Sequence, residues 1–130
     1  MPLDPKFLEL EEILEIHQDQ INRYGGSPGI RDMGLLQSAL AMPMAQFGGQ
    51  FLHANIYEMA SAYLFHLVQN HPFVDGNKRT GAAATDVFLA MNGIELRADE
   101  KEYGKIVLAV CEGKMEKFEL AKFLRQNCSS

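Results

Sequence analysis

A base, a carboxylate and two cations share one short polar segment of this chain. They are His71, Asp75, Lys78 and Arg79. An imidazole titrates near neutral pH and can accept a proton from a hydroxyl group. A carboxylate can hold Mg²⁺ on phosphate oxygens that lysine and arginine bind at the same time. The segment therefore predicts chemistry on a polyphosphate, with His71 as the base.

The neighbouring residues predict a turn between two helices. Pro72 prevents the preceding helix from continuing, and Gly76 permits close approach of the backbone. A new helix is expected to open at Gly76 or Asn77, where the unpaired amides of its first turn form an anion site. Lys78 and Arg79 lie at the positive end of that helix dipole, where cations are disfavoured. An anionic partner explains their presence.

Each of these side chains also has an ordinary structural explanation. A histidine such as His71 often interacts with the last carbonyls of a helix, and an aspartate such as Asp75 often caps the next one. Lys78 and Arg79 taken singly are typical of a solvated surface. Only the joint spacing makes the functional interpretation specific.

The rest of the chain predicts a compact all-α bundle of about six or seven helices in a single domain spanning residues 1–130. Apolar residues recur at helical spacing, and Gly or Pro punctuates the segments between them. Asp32 is the expected N-cap of a short second helix that Pro43 ends. The other expected helices are 7–24, 55–70, 77–91, 99–111 and 116–126. Tyr24, Val87 and Phe118 are counted among the core-facing residues of these helices. A loop or short hairpin is expected around 48–50, and weak strand signals occur at 47–52 and 93–96.

Composition narrows the class of protein. The 130 residues carry 12 basic and 17 acidic side chains, a formal charge of −5, which argues against a primary role on nucleic acid or an anionic membrane. Cys111 and Cys128 form no CxxC pair and have no histidine at zinc-ligand spacing. The first residues lack the basic and apolar regions of a signal peptide, and no run of 18 apolar residues follows. We expect a cytoplasmic protein.

Residues 71–79 resemble the signature of the Fic/Doc family, H-x-F-x-[DE]-G-N-x-R. The matching residues are His71, Phe73, Asp75, Gly76, Asn77 and Arg79. The run 25–40, GGSPGIRDMGLLQSAL, also resembles the N-terminal part of the death-on-curing (Doc) branch, whose compact length this chain shares. The resemblance implies a small all-α bundle, in agreement with the helical spacing.

The resemblance also implies a role for each matching residue. His71 is the base that takes the proton from a Ser or Thr hydroxyl of a target protein, and Asp75 is the ligand of Mg²⁺. ATP is the implied co-substrate. Its phosphates are assigned to Gly76, Asn77, Lys78 and Arg79, and Arg79 is counted with the catalytic residues. Phe73 is expected to point into the core and pin the loop, and Pro72 is also structural.

Two departures from the family pattern bear on the reaction. Members with Gly-Asn-Gly-Arg, followed by another arginine three residues later, commonly transfer AMP; here Lys78 replaces the second glycine and Ala82 the second arginine. A lysine at that place is similar to the Doc branch, which implies transfer of the γ-phosphate of ATP. Two alternatives stay open, namely AMP transfer and a catalytically silent nucleotide-binding or docking module.

The resemblance extends to partners. The internal inhibitory pattern [ST]-x-x-x-E-[GN] is absent, because the pair Glu112 and Gly113 is preceded by Leu108 at the Ser/Thr position. A separate Phd-type antitoxin is therefore implied, with elongation factor Tu as the target of modification. A target-binding flap is implied at Phe47, Gly48, Gly49 and Gln50, where a peptide would add as a strand.

Five other polar residues are considered for the site. Arg31 and Asp32 are expected to serve as a helix cap or an ion pair near the turn. His66 is expected to be a satisfied core histidine. For His17 and His53 the sequence suggests no partner.

Overall fold

The computed structural model describes residues 4–129, and that part of the chain contains six helices. They are α1 (Leu10–Tyr24), α2 (Met33–Ala41), α3 (Ile56–Asn70), α4 (Asn77–Met91), α5 (Glu100–Cys111) and α6 (Lys117–Gln126). The strands pair in two short antiparallel ribbons, β1 (Gln46–Phe47) with β2 (Gln50–Phe51), and β3 (Glu95–Leu96) with β4 (Cys128–Ser129). The predicted helical bundle with a short hairpin is confirmed. None of the described helices is both long enough and apolar enough to cross a bilayer.

Helix α3 is the centre of the core. Its apolar residues cover more than one face, and it packs against α2, α4, α5 and α6. Tyr63 is fully buried and its ring lies 4.8 Å from that of Phe88 on α4. A helix enclosed on several sides cannot shift without disturbing its neighbours. The loop that follows the C-terminal end of α3 is therefore fixed where it begins.

Small residues allow α3 and α4 to approach closely. A Cβ atom added at Gly81 would lie 3.0 Å from Cγ2 of Val68 and 3.4 Å from Cδ1 of Leu64. Ala84, which like Gly81 lies on α4, is fully buried. The alanine-rich composition of α4 predicted such an approach. Because the two helices pack closely, both ends of the loop that connects them are held in place.

The first helix begins at Leu10, so the predicted start at Phe7 is wrong. Glu9 is the N-cap and exchanges hydrogen bonds with Glu12 in a capping box. The residue before the cap, Leu8, is 2% exposed, and its amide donates to the Tyr63 hydroxyl at 2.9 Å. Leu8 thus anchors the residues just before α1 to the core.

Three residues predicted to face the core are exposed. Tyr24 is 65%, Val87 38% and Phe118 75% exposed. Tyr24 is the last residue of α1, and Phe118 lies in the first turn of α6. Helical spacing identifies an apolar face, but it does not show whether a neighbouring element extends to the end of that face.

The hairpin of β1 and β2 has a two-residue turn. Gly48 and Gly49 both have positive φ, 59° and 79°, which is the combination that a tight hairpin favours. The register pairs Gln46 with Phe51 and Phe47 with Gln50. Phe47 is 85% exposed, so the hairpin presents an aromatic side chain to solvent.

Candidate functional site

The connection between α3 and α4, residues 71–76, begins and ends with a left-handed residue. His71 follows α3 with φ 50° and ψ 53°, and is the one non-glycine residue with positive φ in the described chain. Gly76 is the N-cap of α4 with φ 78°. A side chain larger than glycine in this region costs of order 1 kcal/mol, and such residues cluster at functional sites. The His71 side chain is exposed.

The segment between α1 and α2 holds this loop by backbone hydrogen bonds. The amides of Arg31 and Asp32 donate to the Pro72 carbonyl at 2.7 and 3.0 Å. Farther along, the Val74 amide donates to the Gly29 carbonyl at 3.1 Å. The loop is thus paired with a second stretch of chain, which lowers its freedom to rearrange.

Arg31 also closes the C-terminal end of α3. Its Nε donates to the His71 carbonyl at 2.6 Å and its Nη2 to the Asn70 carbonyl at 2.9 Å. Asp32 caps α2 by accepting from the Leu35 amide at 2.9 Å. The predicted capping role of both residues is confirmed. Because Arg31 donates to the His71 carbonyl, it fixes the main chain at His71.

Asp75 is exposed and held in place by two backbone amides. Its Oδ1 accepts from Gly76 at 2.8 Å and its Oδ2 from Ser27 at 3.2 Å. These hydrogen bonds, that from Ser27 first, lower the pKa of the Asp75 carboxyl below its ordinary value. The positive charges of Arg79 and Lys78 lower this pKa further.

The carboxylate of Asp75 fits a magnesium ion that also binds phosphate. Each of its oxygens accepts one hydrogen bond and keeps another lone pair. Residues 4–129 contain no group of three or more side chains that could form a metal cage by themselves. Mg²⁺ in phosphoryl-transfer sites is commonly bound by one or two carboxylates together with phosphate oxygens and water.

Gly26 is required for this arrangement. A Cβ atom at Gly26 would lie 2.6 Å from Oδ2 of Asp75 and 3.2 Å from Nη2 of Arg79. Its φ is 116°, a value that disfavours any other residue. The sequence suggested only that the adjacent Gly25 and Gly26 end α1, so the second role of Gly26 was missed.

The two cations differ in how they are fixed. Arg79 is half-buried, its Nη2 donates to the Gly25 carbonyl at 3.0 Å, and its guanidinium lies 5.7 Å from the centre of the Tyr24 ring. Lys78 is exposed. Neither cation forms an ion pair with a carboxylate of the described chain. Both charges are therefore available to an anion.

Two of the expected phosphate-binding groups are used by the loop itself. The Asn77 side chain is buried, accepts from the Phe73 amide at 2.9 Å and donates to the Phe73 carbonyl at 3.0 Å. The Gly76 amide is the donor to Asp75. Within the described residues, the main-chain amides of Asn77, Lys78 and Arg79 have no acceptor, as expected in the first turn of a helix. These three amides are free to donate hydrogen bonds to an anion.

His17 is a site residue that the sequence did not reveal. Its ring is 4% exposed and stacks on Phe73, with 3.8 Å between centroids and 6° between planes. Its Nε2 donates to the Asp75 carbonyl at 2.8 Å. Phe73 itself is 1% exposed. The missed signal is that His17 lies on α1 midway between the buried Ile13 and Ile21, four positions from each, so it shares their buried face.

Replacing His17 with phenylalanine tests this contact. The ring stack would remain, but the partly buried Asp75 carbonyl would lose its donor, so we expect a loss of about 0.5–1.5 kcal/mol in the free energy of unfolding. Urea denaturation measures this loss. A His17→Gln variant, which keeps a donor, is expected to recover part of it. Unchanged stability of the phenylalanine variant, with unchanged amide shifts in residues 71–76, would contradict the assigned contact.

Other expected residues lie outside this network. No hydrogen bond in the described chain joins the hairpin residues 47–50 to the loop 71–76. His53 and His66 make neither a hydrogen bond nor a stacking contact with residues 71–79 of that chain. His66 is half-buried and its Nε2 accepts from Nζ of Lys117 at 3.1 Å, so the ring is satisfied as predicted.

A cleft of about 660 Å³ adjoins the two cations, between α1, α4 and α5. Lys78 and Arg79 line it together with Ala82 and Tyr103. The Tyr103 hydroxyl donates to the Ala82 carbonyl at 2.9 Å, which fixes the ring. A volume of this size is within the range of small-molecule sites.

Comparison with known proteins agrees with the motif. A model described as the Fic/DOC family matches residues 7–89. The chain is 45% identical over 76 residues to a protein named Toxin Doc from Mycolicibacterium smegmatis, and the match covers 58% of each protein. It is 28% identical over 116 residues to a protein named Protein kinase doc from Escherichia phage P1, covering 89% of this chain and 90% of the phage protein. With its signature loop lying between α3 and α4 and the family match spanning more than half of its length, the chain belongs to the Fic/DOC family.

Proposed function

We propose that the protein is a Doc-type toxin that transfers the γ-phosphate of ATP to a Ser or Thr hydroxyl of a target protein. One observation carries the proposal. An exposed histidine and an exposed, ionised aspartate, His71 and Asp75, are held beside three unpaired amides at the start of α4. The similarity to a phage protein named a protein kinase, over 89% of this chain, supports the same reaction.

His71 is the general base of the proposed reaction. Its imidazole accepts the proton of the target hydroxyl as the hydroxyl oxygen forms its bond to the γ-phosphorus. The bond between that phosphorus and the β–γ bridging oxygen breaks, and ADP leaves. The contacts of Arg31 with the main chain at His71 hold the base at the end of α3.

The start of α4 stabilises the phosphates. The amides of Asn77, Lys78 and Arg79 donate to phosphate oxygens, and the two side-chain cations neutralise charge. Asp75 is the proposed ligand of Mg²⁺, which supplies charge neutralisation on the same oxygens when bound. Phosphoryl transfer needs mainly positioning and electrostatic stabilisation, so this small set of groups is sufficient.

The residues at positions 78 and 82 favour transfer of phosphate over transfer of AMP. Lys78 stands where AMP-transferring members carry a glycine, and Ala82 stands where they carry an arginine. Ala82 and the fixed ring of Tyr103 line the cleft beside Lys78, and a nucleoside is a suitable occupant of that cleft. The γ-phosphate would then lie at the amides of α4.

The double substitution Lys78→Gly with Ala82→Arg tests this assignment. A charge-assisted hydrogen bond is worth about 1.5–3 kcal/mol, so we expect the ratio of AMP transfer to phosphate transfer to rise roughly ten- to hundredfold. Intact-mass spectrometry of the target protein measures both adducts in one sample. Lys105→Gly, on the exposed surface of α5, is the control and is expected to leave the ratio unchanged. An unchanged ratio in the double variant would show that these two positions do not determine whether phosphate or AMP is transferred.

The hairpin 46–51 is the proposed binding element for the target. Its short strands have an open edge, and Phe47 beside the Gly48–Gly49 turn is exposed. An extended target segment can add to such an edge by main-chain hydrogen bonds, which places a Ser or Thr near His71. Elongation factor Tu is the proposed target.

A separate antitoxin of the Phd type is the proposed inhibitor. The relative named Toxin Doc supports the toxin assignment, and the chain carries no Ser/Thr-x-x-x-Glu-Gly/Asn segment that could inhibit it from within. Co-expression with a Phd-type protein is expected to restore growth to cells that produce this chain.

The decisive experiment follows the label of ATP. The protein is incubated with elongation factor Tu, Mg²⁺ and ATP labelled at either the α- or the γ-phosphate. Label from the γ-phosphate alone is expected in the target. Label from the α-phosphate would instead identify AMP transfer. If neither phosphate labels elongation factor Tu or any protein of a bacterial extract, a silent nucleotide-binding or docking module is favoured.

A further inference from the structure

A second groove, of about 740 Å³, lies between α3 and α6 and shares no lining residue with the loop 71–79. We call it the His53 groove. Its charged and aromatic lining residues, counting the imidazole, are His53, Glu58, Lys117, Phe118, Lys122 and Arg125. Neither the reaction nor the family signature uses these residues.

A buried histidine without a partner lines this groove. His53 is 9% exposed, and its buried Nε2 has no hydrogen-bond partner among the described residues. Burial first, and then the charge of Lys117, lowers the pKa of the His53 imidazole. The charge of Glu58 and the nearby Met42 carbonyl raise this pKa, but by less. The ring is therefore neutral near pH 7, and a neutral imidazole has one nitrogen that donates and one that accepts a hydrogen bond.

Lys117 brings a positive charge to the same place. Its ammonium donates to Nε2 of His66 at 3.1 Å and lies 5.7 Å from the centre of the Phe65 ring. Burial, with contributions from Lys117 and His53, lowers the pKa of His66 to about 4. Both imidazoles are thus neutral, and the ammonium has no compensating carboxylate within ion-pair distance in the described chain.

Two more cations line the groove from α6. Lys122 and Arg125 are exposed and form no ion pair in the described part of the protein. The carboxylate among the lining residues, that of Glu58, accepts from Nδ2 of Asn55 at 2.7 Å. Phe118 is 75% exposed beside these cations. An acidic protein of charge −5 therefore has a local concentration of positive charge next to an exposed aromatic ring.

We propose that the His53 groove binds an acidic segment of a partner protein. Carboxylates of the segment pair with Lys117, Lys122 and Arg125, an apolar side chain packs on Phe118, and a polar group of the segment forms a hydrogen bond with Nε2 of His53. Nucleic acid is disfavoured as the ligand because Glu58 lies in the groove and the whole protein is acidic. This binding does not depend on the proposed kinase reaction.

The test uses a short capped peptide that alternates glutamate and leucine, with the glutamine counterpart as the control ligand. Binding to the full-length ¹⁵N-labelled protein is followed by NMR at low salt. We expect amide shifts on α6 and the first half of α3 with the glutamate peptide, and weaker binding as salt is added. The glutamine peptide is expected not to bind.

Matched variants separate the groove from general electrostatics. The double variant Lys122→Gln with Arg125→Gln is expected to weaken peptide binding at least about tenfold, as loss of charge-assisted contacts predicts. Lys101→Gln with Lys105→Gln makes the same change of charge on exposed positions of α5 and is expected to keep the affinity within about twofold. His53→Leu removes a buried polar nitrogen that has no partner, so it is expected to lower the affinity while the Tm stays the same or rises.

Four results would overturn the proposal. Equal binding of the two peptides would show that the carboxylates are not recognised. Absence of glutamate-peptide shifts at millimolar concentration, or shifts confined to other surfaces, would exclude the groove as the binding site. Tighter binding of a short uridine oligonucleotide, with the same shift pattern, would identify a nucleic-acid surface instead.

Discussion

Replacement of His71 by alanine is expected to lower the rate of phosphoryl transfer by roughly 10²–10⁴-fold, the usual contribution of a positioned general base. The side chain is exposed and makes no side-chain hydrogen bond in the described chain, so its removal leaves the core intact. The contacts that fix this residue reach its carbonyl, which alanine retains. The loss should therefore be confined to the chemical step.

The left-handed backbone at His71 requires a second variant. With φ at 50°, alanine carries a conformational cost of about 1 kcal/mol, whereas asparagine is tolerated well in this region. His71→Asn thus removes the base without the added strain. Single-turnover transfer from γ-labelled ATP and equilibrium binding of ATP are measured for both variants. We expect both to bind ATP within about threefold of the unmodified protein and to transfer slowly.

Retained transfer in both His71 variants would assign the base to another group. Weakened ATP binding with an unchanged rate at saturation would instead give His71 a role in binding the nucleotide. These two outcomes are distinct from loss of folding, which circular dichroism monitors in the same samples.

Local sequence was sufficient to predict the helices and the loop between α3 and α4. Apolar spacing identified α3, and Gly76 indicated that α4 opens at Gly76 or Asn77, of which Asn77 is the observed start. His71 and Asp75 are also neighbours in the chain, so their joint position depends on one turn. Such short-range features are encoded by residues a few positions apart.

The contacts that hold the site in place were not predicted, because they join residues that are distant in the sequence. His17 and Ser27 reach Asp75 across 58 and 48 positions of sequence. Neither residue type is unusual where it occurs, and nothing in its local spacing names a partner. The stack of His17 on Phe73 exists only because α1 and the loop meet in the folded bundle.

The functions assigned to individual motif residues also depended on tertiary contacts. Asn77 matched the family signature and was expected to bind phosphate, yet its side chain is used by the main chain of Phe73. A buried amide side chain satisfies its hydrogen bonds where it can, and here the nearest groups are those of the loop. Phe118 shows the opposite case, in which a residue expected in the core is exposed. An apolar residue at helical spacing lies in solvent when no element covers that end of the helix.

A second large effect is expected at Gly26, where sequence alone suggested only a turn. Gly26→Ala would place a Cβ atom 2.6 Å from Oδ2 of Asp75 and 3.2 Å from Nη2 of Arg79. The carboxylate has to move, since a separation below 3.0 Å is not tolerated, and the Ser27 amide that fixes it adjoins the substituted residue. A misplacement of about 1 Å in a catalytic group costs of order 10²-fold in rate, so a loss of that size is expected in phosphoryl transfer.

Gly25 provides the matched control for this prediction. It has φ 82°, so alanine is strained at both positions, but a Cβ atom at Gly25 has no neighbour within 4 Å. Each substitution is expected to lower the free energy of unfolding by about 1–2 kcal/mol. Only Gly26→Ala is expected to lose most of the transfer activity and to weaken Mg²⁺-dependent ATP binding.

Equal losses of activity in the two variants would attribute the effect to backbone strain. An active Gly26→Ala protein would show that the observed positions of Asp75 and Arg79 are not those of the reaction. The comparison thus separates what a glycine contributes by its backbone from what it contributes by leaving room for two charged groups.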